Sequence, residues 1–104
     1  MNRYLLTSLI VTMMSFGGPA MADADAELTA KTLCAGCHGP NGISTNPLWP
    51  NLAGQHAAYS AVQLRAYRDG KRIDPNMNAL VSNLTDEEIQ ALAEYYEKIP
   101  AGGG

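Results

Sequence analysis

The chain has 104 residues, enough for one domain, with seven basic and ten acidic side chains and a formal charge of −3. That balance argues against nucleic acid or an anionic membrane as partner, and it permits steering toward a basic patch on another protein. Only two cysteines are present, Cys34 and Cys37.

The first 22 residues read as an address. Asn2 and Arg3 form a short positive region, and Tyr4 to Phe16 is apolar apart from Thr7, Ser8, Thr12 and Ser15. Gly17, Gly18 and Pro19 break the run before Ala20-Met21-Ala22, a small-x-small cleavage site. The apolar run is short for a bilayer span. Residues 1–22 are therefore expected to be a signal peptide that sends a mature domain, residues 23–104, to the periplasm. A retained membrane anchor is the other reading. Without those residues the chain keeps 82 residues, six basic and ten acidic side chains, and a charge of −4. A core that small and that rich in alanine is marginal alone.

Asp23 to Ala35 predicts the first helix, with Asp23, Asp25 and Glu27 in its first turn, where negative charge suits the dipole. Its larger apolar residues are Leu28 and Leu33. Ala26 and Ala30 form a small-residue stripe that would let another helix approach closely. The stripe leads into Cys34-Ala35-Gly36-Cys37-His38, and Gly36, Gly39 and Pro40 are expected to end the helix there.

Two cysteines three apart with a histidine directly after them match the attachment motif of c-type haem. On a helix end, Cys34, Cys37 and His38 share one face. Two thiols so placed can form thioethers with the two haem vinyl groups, and the imidazole can ligate the iron. An oxidising compartment would otherwise pair the thiols as a disulfide. A redox Cys-x-x-Cys needs a βαβ context, and no strand pattern occurs in the chain. A zinc site of Cys34, Cys37, His38 and His56 lacks a second ligand pair, and adjacent Cys37 and His38 suit a closed tetrahedron poorly. One covalent haem c is the expected cofactor, and it would supply the apolar mass that the small core lacks.

Gly39 to Gln55 predicts a long loop, of a length that is usually functional. Ile43, Leu48, Trp49 and Leu52 are apolar for a solvated loop, so they are expected to cover the haem. His56 to Arg68 predicts a helix with Tyr59, Val62, Ala66 and Tyr67 at helical spacing and with Arg65, Arg68 and Asp69 outward. A second loop carries Lys71, Arg72, Pro75 and Met77, with a short turn at Ala79 to Ser82. The last helix has Thr85 as N-cap, Glu88 completing a capping box, and a Leu84–Ile89 staple. Ile89, Leu92, Ala93, Tyr96 and Ile99 form its buried stripe, with Ala93 and Tyr96 facing the alanines of the first helix. The fold is expected to be all-α.

A carrier's haem iron needs a second axial ligand, either methionine or a second histidine. Beyond residue 22 the chain has one methionine, Met77. Met77 is the expected ligand and His56 the rival. The other nitrogen of His38 needs an acceptor, with the carbonyls of Pro47 or Pro50 as candidates. Expected pocket or propionate contacts are Pro47, Trp49, Pro50, Leu52, Tyr59 and Arg72, with Arg65 a weaker candidate.

Taken together, C-A-G-C-H-G at Cys34 to Gly39 and P-N-L-A-G-Q at Pro50 to Gln55 resemble the class I c-type cytochromes. Tyr59, Gln63-Leu64, Tyr67, Gly70, Arg72, Met77-Asn78-Ala79 and Leu84 to Tyr96 extend the likeness, which is closest to the bacterial branch of single-haem relatives of the dihaem cytochrome c4. The resemblance implies crossed first and last helices, loops wrapped around the haem, His38 and Met77 as axial ligands, and single-electron transfer. This chain has room for one such domain where the dihaem proteins have two. The expected function is a periplasmic electron carrier, not an enzyme, monomeric and without a retained membrane anchor. Its partners would be redox proteins such as an oxidase, reductase or dehydrogenase. The alternatives are a haem sensor or gas-binding protein, and a haem subunit held permanently in a dehydrogenase or oxidase.

Overall fold

Small side chains on the first helix and large ones on the last decide how the chain closes. The computed structural model describes residues 10–12 and 19–102, and the expected signal peptide at 1–22 lies mostly outside them. Among the described residues five α-helices follow in order: α1 (Pro19–Thr29), α2 (Ala35–His38), α3 (Ala57–Arg68), α4 (Pro75–Val81) and α5 (Asp86–Glu97), with a π-helical turn over Ala30–Cys34 joining α1 to α2. No strand occurs among the described residues, and none of their helices is long and apolar enough to cross a membrane.

α5 organises the rest, packing on both α1 and α3. Thr85 Oγ1 accepts from the Glu88 backbone N–H while Glu88 Oε1 accepts from that of Thr85, each at 3.1 Å. The expected capping box is therefore closed. Asp86, Glu87 and Glu88 sit in the first turn, where they complement the dipole. Leu84 and Ile89, the staple pair, are both buried. Ile89, Leu92, Ala93 and Tyr96 make the inner stripe, with Ile89 and Leu92 almost wholly out of solvent. Each of those two side chains contributes roughly 1.5–3 kcal/mol through burial. Ala26 and Ala30 are buried too, so the small-residue stripe meets α5 as expected.

Several boundaries differ from expectation. Helix runs from Pro19 through His38 rather than from Asp23 to Ala35, so Asp23, Asp25 and Glu27 lie outside its first turn. Gly36 stays inside the helix, and the break comes at Gly39, whose φ of 87° an L side chain avoids. The buried face of α3 is Ala57 and Ala61, while Tyr59 and Val62 are more than half exposed. Spacing alone could not tell the stripe facing α5 from the one beside it. Arg68 also turns inward: its Nη1 donates to the Leu84 carbonyl at 3.1 Å and pairs with Asp86 at 2.8 Å, tying α3 to the start of α5. The expected turn at Ala79 to Ser82 is the end of a longer helix, α4. Asp74 caps that helix by accepting from the backbone N–H of Asn76 and Met77, and Pro75 occupies its first position.

Candidate functional site

The loop between α2 and α3 is closed by its own hydrogen bonds. The Gly42 carbonyl accepts from the Leu52 and Ala53 N–H groups at 2.7 and 3.0 Å, Ser44 N–H donates to Asn51 Oδ1 at 2.7 Å, and Leu48 N–H donates to Asn46 Oδ1 at 2.9 Å. Gly42 is buried at φ 73°, and a Cβ there would come within 3.0 Å of the Tyr96 ring. Only glycine lets the loop lie this close to α5.

This closure delivers one carbonyl to one imidazole. Pro50 O lies 2.7 Å from Nδ1 of His38, which is the single buried polar residue among those described. A carbonyl only accepts, so Nδ1 carries the proton and Nε2 keeps its lone pair. Of the two carbonyls expected for this role, Pro50 takes it and Pro47 does not. His38 is thereby oriented as a metal-ligating histidine must be.

A cavity of about 450 Å³ opens beside it, within the roughly 300–1,000 Å³ of small-molecule sites. Cys34, Cys37 and His38 line it from α2 and the π turn, and Trp49, Pro50 and Leu52 from the loop. Tyr59 and Tyr67 line it from α3, Met77 from α4, and Leu92 and Tyr96 from α5. Neither cysteine is in a disulfide. Burial pushes the Cys34 thiol up, partly offset by the Tyr96 hydroxyl beside it, and burial likewise raises the Tyr96 hydroxyl well above its ordinary range. Arg72 is held at the cavity by Gln63, whose Oε1 accepts from Nη1 at 2.8 Å, and by the Tyr67 ring 4.6 Å beneath its guanidinium.

Most of the expected site residues thus meet at one cavity: Cys34, Cys37, His38, Met77, Trp49, Pro50, Leu52, Tyr59 and Arg72. Four do not. Pro47 and Ile43 are absent from the lining, since the turn that brings Pro50 to His38 carries them away from it. Arg65 faces Asp86 instead, at 3.5 Å. His56, the rival ligand, is the exposed residue at the start of α3 and lies outside the lining. Among the described residues no cluster of His, Cys, Asp or Glu could hold a bare metal ion, so the zinc site is not assembled. Met77 belongs to the first turn of α4 rather than to a loop, held there by Asp74. Asp74, Gln63 and Asn78 support the site without being among the residues expected there; Asp74-Pro75 is the available sequence signal for the first.

The donor set fits a flat apolar cofactor: two thiols and one tautomer-fixed imidazole on one wall, a thioether on another, tyrosine and leucine between. A helical protein built this way belongs to the c-type haem proteins. The family model described as Cytochrome c matches residues 22–99, and the chain belongs to that family. Haem c is its covalent cofactor. The chain is 40% identical over 87 residues to cytochrome c4 of Thiocapsa roseopersicina, covering 83% of this chain and 45% of that protein. It is 42% identical over 66 residues to cytochrome c-554(548) of Halomonas halodenitrificans, covering 61% and 80%. The crystal structure of reduced recombinant cytochrome c4 from Pseudomonas stutzeri superposes with a TM-score of 0.66 at 34% identity, over 84% of this chain and 52% of that one. The chain spans about half the length of the cytochromes c4 it matches, and its fold is that of the class I cytochromes c.

Proposed function

We propose that the chain is a periplasmic single-electron carrier, with Cys34 and Cys37 as the thioether residues and with His38 and Met77 as axial ligands. Residues 1–22 are its signal peptide and residues 23–104 the mature domain. The observation that carries this reading is that His38 and Met77, from different helices, line the same cavity as both cysteines. His38 enters it with Nδ1 tied to Pro50 O and Nε2 free, and Met77 enters it from α4. His56 lines no part of it.

When bound, haem supplies the one-electron ferric–ferrous couple. The residues do the rest. Pro50 O fixes the imidazole tautomer and raises its basicity. The Met77 thioether favours the reduced state and raises the potential relative to a second histidine. Trp49, Leu52 and Tyr59 would cover a bound haem against water, and Arg72 would offer charge to its propionates. No substrate bond need be made or broken, so the protein transfers electrons without being an enzyme. Its partners are redox proteins of the oxidase, reductase or dehydrogenase type, met through a small transient contact.

An optical and potentiometric titration of the purified mature holoprotein tests this. A single reversible one-electron step, with no carbon monoxide binding to the ferrous form at neutral pH, is the expected result. Ready carbon monoxide binding would favour the sensor or gas-binding alternative.

A further inference from the structure

The segment that carries Met77 is held by a side chain that does not itself line the cavity. Asn78 Nδ2 donates to the Tyr67 carbonyl at 2.7 Å and to the Arg72 carbonyl at 2.9 Å, while its Oδ1 accepts from the Asp74 backbone N–H at 2.9 Å. The three partners fix which end of the amide is which: two are carbonyls and one is an N–H. They belong to the end of α3, the connecting turn and the N-cap of α4. Asp74 answers through Oδ1, which accepts from the N–H groups of Asn76 and Met77 at 3.0 Å each. One amide thus links the two ends of segment 67–78, beside the backbone bonds of Lys71 and Arg72 to the Ala66 carbonyl, and Met77 is the residue next to it.

We propose that Asn78 is a positioning residue for Met77, holding segment 67–78 closed so that the thioether keeps its place and competing ligands stay out. The inference rests on the reading of Met77 as an axial ligand. A thioether is a weak neutral ligand, so its grip depends on how often the segment opens. One net hydrogen bond changes such an equilibrium by about twofold to tenfold. Losing three raises opening by at least about tenfold.

The test is an imidazole titration of the ferric holoprotein, comparing wild type, Asn78→Ala and Asn78→Asp, with Thr85→Ala as reference. Thr85→Ala loosens the cap of α5, where Arg68 also anchors, but removes none of the hydrogen bonds that Asn78 makes. The expected result is an imidazole affinity about tenfold or more higher in Asn78→Ala, with faster hydrogen exchange at the Asn76 and Met77 amides. Asn78→Asp keeps the shape but removes both donors, and it raises affinity as well. It carries the comparison if Asn78→Ala does not accumulate as holoprotein. Affinities in both Asn78 variants that move no further than in Thr85→Ala would overturn the proposal. A wild-type protein without a methionine–iron band would overturn the Met77 reading instead, so the two failures are distinguishable.

Discussion

Where the first helical stretch packs on α5, Ala26, Ala30, Ile89, Ala93 and Tyr96 are almost wholly out of solvent. Around the cavity the same kinds of residue stay open: Leu48 is 84% exposed, Tyr59 53% and Trp49 38%. The first region is closed by protein alone, alanine stripe against large side chains. The second is a cavity of about 450 Å³ lined by different elements, with apolar side chains beside the two thiols and His38. Haem c belongs to the second region, where the two cysteines and His38 line the cavity.

The largest effect should come from removing the attachment. Cys34→Ala with Cys37→Ala prevents thioether formation, and the chain should lose cooperative thermal unfolding, followed by circular dichroism. A cooperative melt retained without haem would show that the crossed helices suffice. Within the closed region, Ile89→Ala should cost about 2–5 kcal/mol by denaturant unfolding, because its surroundings cannot collapse into the gap. Leu48→Ala, on the open region, should cost much less. Equal costs would erase the comparison. Thr85→Ala removes an N-cap acceptor and should cost about 1 kcal/mol.

The smallest effect concerns pH. The Arg68 guanidinium holds the carboxyls of Asp86 and Asp69 below the usual range, chiefly by hydrogen bonding. A carboxyl depressed in the folded state stabilises the fold above its unfolded value, near ~3.9. That contribution is lost as pH falls through the folded value. Asp86→Asn should therefore lower stability slightly at neutral pH and converge with wild type in acid, flattening the acid limb; the effect is small because the carboxyl is exposed and screened.

Much of this was legible in the residues because it is local. The capping box of α5 needs only Thr85 and Glu88 three apart, and the haem motif needs only five consecutive positions. What was not legible depends on distant partners. The choice of Pro50 over Pro47 follows from Ser44 meeting Asn51 and Gly42 meeting Leu52, which no spacing rule encodes. The buried face of α3 was misplaced because alanines, not Tyr59 and Val62, face α5. Met77 reads as a loop residue from spacing alone, and the Asp74-Pro75 pair is the signal that starts α4 before it. The π turn at Ala30–Cys34 has no sequence signal that we can name.

The central claim is that His38 and Met77 hold the haem iron between them. The direct measurement is the ferric absorption spectrum of the holoprotein in wild type, Met77→Ala and His56→Ala. The account predicts a methionine–iron band at the red edge in wild type and His56→Ala, and its loss in Met77→Ala. A wild type without the band, or a band that survives Met77→Ala, would contradict it.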